Sequence, residues 1–149
     1  GGHTSQDPVA VLRIGDRAIQ AAASDNWPHV WDLGQVWQEW TGLPLVYALW
    51  VARADSAAAQ PLALAALHQA LLRSRDQGLA DLGGCAAQAA NALGGGPAYY
   101  RAYFQALHYH LGPAEIAGLS RFYDELRQVG VLEQPAELRF FTVAPAGPR

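Results

Sequence analysis

The chain has 149 residues, 51% of them hydrophobic and 15% charged, with a formal net charge of −3. That is enough apolar material for one domain, or for two small lobes sharing one segment. The charge balance leaves no basic footprint for nucleic acid, and the apolar runs fall far short of a membrane span.

Residue usage narrows the chemistry further. Cys85 is the single cysteine, so no internal disulfide can form and nothing points to an oxidising compartment. There is no lysine, which rules out a Schiff-base lysine or a phosphate-loop lysine within this chain. There is no methionine, and the sequence opens Gly1-Gly2-His3 without a charged-then-apolar leader. The expectation is a fragment of a longer, cytoplasmic protein.

Residues 1–8 read as disordered or edge-like. Residues 9–14 (VAVLRI) predict a strand that ends at Gly15-Asp16. Residues 17–23 predict a short helix with Asp16 as its N-cap. A loop over 24–28 and a short extended piece over 29–33 follow. Residues 34–40 predict a helix with Trp37 and Trp40 on one side, ended by Gly42 in the left-handed conformation.

Residues 41–53 (TGLPLVYALWVAR) are the stretch around which the rest is expected to pack. Pro44 favours an extended entry. Residues 45–51 form an unbroken apolar run rich in β-formers, which predicts a strand buried on both faces. Residues 54–60 read as a linker of small residues. Pro61 suits the first position of a helix reaching about Gln77, with Leu64, Leu67, Leu71 and Leu72 at helical spacing and Gly78 as its stop. A second long helix is predicted over 80–93, ending at Gly94-Gly95-Gly96. Pro97 starts a third, to about His108. Pro113 starts a fourth, with Ile116, Leu119, Phe122, Tyr123 and Leu126 on one face and Gly130 as its end. Residues 138–143 (LRFFTV) are a last extended candidate. Strands thus cluster early and helices late, an imbalance that fits one part of a larger α/β sheet.

Five places are weighed for chemistry. At the Ile14-Gly15-Asp16-Arg17 corner a strand end feeds a helix start, where ligands bind in open α/β sheets. Gly15 would let the backbone approach a ligand, the helix amides suit anions, and Asp16 could orient a hydroxyl or act as an acid/base group. The alternative is a plain turn and a plain cap. The tryptophans (Trp27, Trp31, Trp37, Trp40, Trp50) could line an aromatic pocket, although core packing is the commoner use. His108 and His110 would share a face only on a strand, and only Glu115 stands near as an acid, so no metal site is expected. Cys85 reads as an inert helix thiol. The Gly94-Gly95-Gly96-Pro97 turn lacks the strand and lysine of a phosphate loop.

An ordered set of residues points further. Ile14-Gly15-Asp16-Arg17-Ala18 is followed by Asp32-Leu33-Gly34, Trp37, Trp40, Thr41-Gly42-Leu43-Pro44 and Val46-Tyr47-Ala48-Leu49-Trp50. Tyr109, Leu111-Gly112, Gly118-Leu119, Phe122-Tyr123, Gly130 and Leu138-Arg139-Phe140-Phe141 continue it. From Val9 to Phe141 this order resembles the menaquinone-biosynthesis family of the futalosine route, and within it the chorismate dehydratases. A sister enzyme that releases dihydroxynaphthoate shares the Asp-Leu-Gly and Thr-Gly-Leu-Pro parts. It typically continues after the proline with a Pro/Leu/Gly-rich segment and uses a catalytic histidine, and neither is found at the matching places here.

The resemblance implies an α/β fold: the second half of a two-lobed type II periplasmic-binding-protein-like architecture, with a mixed sheet and helices. Residues 1–43 would belong to the second lobe. Residues 44–149 would be the return strand and C-terminal helices packing on the first lobe. The implied reaction is dehydration of chorismate to 3-[(1-carboxyvinyl)oxy]benzoate by a carbon–oxygen lyase, without cofactor or metal. Asp16 is the implied catalytic residue, and Gly15, Arg17, Tyr47 and Trp50 the implied substrate contacts, with Arg53 a further carboxylate partner. The expected partners are chorismate, the N-terminal half of the same protein and a second copy in a homodimer, with no nucleic acid and no membrane. A solute-binding lobe for a small carboxylate, without catalysis, is the competing reading.

Overall fold

The computed structural model describes residues 10–22 and 27–141. The chain divides into two compact units, residues 1–32 and 33–149. The expectations for residues 1–8, and those parts of others that reach Val9, residues 23–26 or residues beyond 141, lie outside the described residues.

Among its described residues the first unit carries one helix, α1 (Asp16–Ala22). Gly15, at φ +57°, makes the turn into it. The Gly15 carbonyl accepts from the N–H groups of Ala18 (2.9 Å) and Ile19 (3.1 Å). Gly15 therefore holds the cap position, one residue earlier than expected, and Asp16 stands in the first turn. A carboxylate there still complements the helix dipole. Residues 10–14 are not a strand, and Leu12 and Ile14 are exposed.

The second unit holds α2 (Leu33–Thr41), α3 (Ala54–Ala59), α4 (Pro61–Ala80), α5 (Leu82–Leu93), α6 (Pro97–Ala106) and α7 (Pro113–Gln128). Pro61, Pro97 and Pro113 each open a helix as their fixed φ and missing N–H dictate. The helix ends are equally local. Gly42 (φ +71°) closes α2, and the Thr41 hydroxyl donates to the Trp37 carbonyl at 2.7 Å. After α7, Val131 N–H donates to the Leu126 carbonyl (2.8 Å) and Gly130 N–H to that of Arg127 (3.1 Å). With Gly130 at φ +76° this is a Schellman motif. Two readings change. Residues 54–59 are a helix rather than a linker, since a run of alanines has high helix propensity. Gly78 lies inside α4 rather than ending it; Asp81 ends it and caps α5 by accepting from Gly84 N–H at 2.9 Å.

Helices α5 and α6 form the closest pair, tied by buried Ala86, Ala90 and Tyr100, with α4 beside α5. The Tyr100 hydroxyl donates to the Gly94 carbonyl at 2.9 Å, which fixes the turn between them. A second cluster joins α2 to α7. Trp37 is buried, with its ring edge-on to Trp40 (5.6 Å) and to Phe122 (5.7 Å). Gly118 of α7 lets that helix approach the Pro44 carbonyl.

The expected mixed sheet of a periplasmic-binding-protein-like half is overturned: among the described residues there are helices and no strands. Residues 45–51 have no regular structure and pair with no ladder, and Tyr47, Trp50 and Val51 are 69%, 84% and 85% exposed rather than buried on both faces. The physical reason is that β-propensity is a preference for a pleated, packed neighbourhood, and a strand exists only when an adjacent strand takes its N–H and C=O groups. The described chain supplies no such neighbour. The late stretch at residues 138–141 is likewise without regular structure.

Candidate functional site

In the second unit, residues from five parts of the chain line a cavity of about 350 Å³. The segment over residues 45–51 contributes Trp50, α6 contributes Phe104, and the connection before α7 contributes Tyr109. Helix α4 adds Leu71, Ser74, Arg75, Gly78 and Leu79, and Leu82 and Cys85 come from α5. The lining thus combines three aromatic residues and several aliphatic side chains with a few polar groups, the usual make-up of a small-molecule site.

Arg75 is the cation of this wall. Its Nε and Nη2 both donate to Asp76 Oδ1, at 2.9 and 2.7 Å, and its Nη1 lies 3.5 Å from His110 Nδ1. Burial pushes the Tyr109 phenol up, and the nearby Tyr103 and Cys85 groups push in the same direction. Tyr109 is therefore a neutral donor and acceptor at ordinary pH. The Cys85 thiol lies 3.9 Å from the Gly78 carbonyl, across the α4–α5 joint.

Glu115 organises the entry to α7. Its Oε2 accepts from Gly112 N–H at 2.9 Å, the carboxylate half of a capping box. Its Oε1 lies 3.8 Å from His108 Nδ1. Bonding to its own backbone N–H, then to that of Gly112, with a smaller contribution from His108, holds its carboxyl below the usual range against a partial desolvation.

The sequence-predicted residues fall in both units. Gly15, Asp16 and Arg17 belong to the first, all exposed, with open space around the Gly15 Cα. Tyr47 and Trp50 belong to the second, and of these Trp50 lines the cavity. Arg53 is engaged by Asp55 through two contacts, at 3.1 and 2.7 Å, which also lower the Asp55 carboxyl. The tryptophans divide by role: Trp37 is core, Trp50 is cavity wall, and Trp27, Trp31 and Trp40 are exposed. Arg121 stacks 5.9 Å from the Trp40 ring centroid.

Sequence reasoning missed Arg75, Ser74 and Cys85 as cavity residues. The signal was present: Leu71, Arg75, Gly78 and Leu79 share one face of α4, and an arginine there interrupts an otherwise apolar stripe. Among the described residues no group of three or more His, Cys, Asp or Glu side chains could hold a metal ion. No described helix is long and apolar enough to cross a membrane.

A second unit whose described regular elements are all helices, with aromatic residues and one guanidinium lining its cavity, has the character of a small-molecule protein. The chain belongs to the menaquinone biosynthesis family, whose sequence pattern matches residues 3–128. A curated chorismate dehydratase of Thermus thermophilus is 34% identical over 131 residues, which cover 78% of this chain and 46% of the relative. The chain thus spans about half the length of that relative. No solved structure matches.

Proposed function

We propose that this chain is part of a chorismate dehydratase. The observation that carries the reading is the 34% identity to a chorismate dehydratase across 78% of the chain, within a menaquinone-biosynthesis family match over residues 3–128. The reaction removes one ring proton and the ring hydroxyl of chorismate. A C–H and a C–O bond break, water leaves, and the ring becomes aromatic in 3-[(1-carboxyvinyl)oxy]benzoate. Catalysis then consists of holding a dianion in place and assisting the departure of proton and hydroxide.

In this reading Asp16 assists as an acid/base group, and Gly15 and Arg17 receive the substrate at the same corner. Tyr47 and Trp50 contact the ring, a role supported for Trp50 by its place on the cavity wall. Turnover also needs the part of the protein that corresponds to the rest of the relative's length, so this chain alone is inactive.

The test is to incubate chorismate with this chain and with the complete protein that carries it, following an aromatic ultraviolet product. Product is expected from the complete protein alone. Asp16→Asn in the complete protein is expected to lower the rate about 100-fold or more while circular dichroism is unchanged. An unchanged rate would leave Asp16 a first-turn helix residue and nothing more. Binding of chorismate by the complete protein without turnover would overturn the enzyme reading in favour of a solute-binding protein.

A further inference from the structure

Arg75 needs a reason to be where it is. It stands in the middle of α4 between Leu71 and Leu79, its side chain only 26% exposed, on the wall of a largely apolar cavity. Its ion pair with the neighbouring Asp76, which is 63% exposed, is of the kind that adds little to stability. Stem packing on the leucines and the pair with Asp76 do not by themselves call for a charged head on this wall. A guanidinium also carries more N–H donors than the contacts to Asp76 and His110 use. Trp50, Phe104 and Tyr109 line the same cavity, and the Tyr109 phenol stays protonated there.

We propose that this cavity binds a planar cyclic carboxylate, with Trp50, Phe104 and Tyr109 around the ring and Arg75 as the residue that takes the carboxylate. The assignment deepens the reading above and rests on it in taking Trp50 as a ring contact. The volume of about 350 Å³ admits one substituted six-membered ring and sits at the small end of ligand sites, roughly 300–1,000 Å³. A carboxylate is preferred to a neutral group because charge-assisted bonds to guanidinium are stronger than neutral ones and match its fork. Arg75 thereby selects for charge, and the rings select for flatness.

The test uses the 149-residue chain labelled with nitrogen-15. The indole N–H resonance of Trp50 is identified by its loss in Trp50→Phe. Sodium benzoate and benzamide are then titrated separately, two probes of nearly equal shape that differ in charge. Benzoate is expected to move the Trp50 resonance saturably and to bind about tenfold more tightly than benzamide. Arg75→Gln is expected to erase that preference, and Arg75→Lys to keep part of it. The remaining resonances report whether each variant is folded. If Arg75→Gln does not fold, the benzoate–benzamide ratio in the unaltered chain and in Arg75→Lys still decides. Equal affinity for the two probes, a preference that survives Arg75→Gln, or the absence of a saturable shift would each overturn the proposal. Chorismate turnover by the complete protein is a separate readout, so the failure of one reading is distinguishable from the failure of the other.

Discussion

A side chain at position 118 is what the contact between α7 and Pro44 cannot accept. A Cβ built there meets the Pro44 carbonyl oxygen, and backbone cannot swing aside as a flexible side chain would. Gly78 is the opposite case, with nothing near its missing Cβ in the middle of α4. Alanine favours a helix interior over glycine by about 1 kcal/mol at both positions. At Gly118 the forced displacement outweighs that gain, because overpacking costs about 1–3 kcal/mol. Gly118→Ala is therefore expected to lower stability and Gly78→Ala to raise it, by up to about 1 kcal/mol. Urea titration of the two variants checks this through the sign of each midpoint change. Loss of stability in both would mean that Gly78 is held by something other than the open space around it. At this scale Trp37 was half legible: its helical partner Trp40 follows from spacing, while its contact with Phe122 joins distant parts of the chain.

At the scale of elements, the helices other than α3 were legible and the run over residues 45–51 was not. Pro61, Pro97 and Pro113 mark helix starts, and Gly42, Gly94 and Gly130 mark ends, because caps and turns are decided by a handful of adjacent residues. Residues 45–51 have the composition of a buried strand, yet a strand is fixed by a partner elsewhere, which local composition does not reveal. The cavity divides along the same line. Trp50 was visible as a ring in an apolar run, whereas Arg75 gains meaning only when α4, α5 and α6 come together. The α7 entry shows how a local cap couples to pH. Glu115 has its carboxyl held below its unfolded value by backbone N–H bonds, chiefly its own and that of Gly112. A group with a lowered folded pKa contributes stability above its unfolded pKa and loses it as pH falls through the folded one. Glu115→Gln keeps an acceptor but not the charge. Its melting temperature is expected to lie below that of the parent at neutral pH. The gap should close on acidification below the usual glutamate range of about 4.3. Thermal melts of both proteins across pH 3 to 7, a range of roughly four units set by that pKa, test the sign. A gap that widens in acid would show that the charge of Glu115 opposes folding.

On the scale of the whole molecule, what matters is where the apolar surface lies. Isolated exposed hydrophobic residues are ordinary on any protein. Here the exposure is consecutive: residues 47–51 are all exposed, with Trp50 and Val51 at 84% and 85%. The buried hydrophobic set is short, consisting of Trp37, Ala86, Ala90, Tyr100 and Leu119 among the described residues. A contiguous apolar strip of this kind marks a surface made to be covered. Because the Thermus relative is matched over only 46% of its length, the rest of such a protein is the cover that the proposed function calls for. It follows that this chain on its own should bind a hydrophobic dye such as ANS at this exposed strip. The full-length Thermus chorismate dehydratase, measured alongside at the same molar concentration, should bind far less dye. Equal dye binding by the two would mean that the additional length does not cover this strip. Low dye binding by the chain alone, at every protein concentration, would mean that residues 47–51 already find their cover within it.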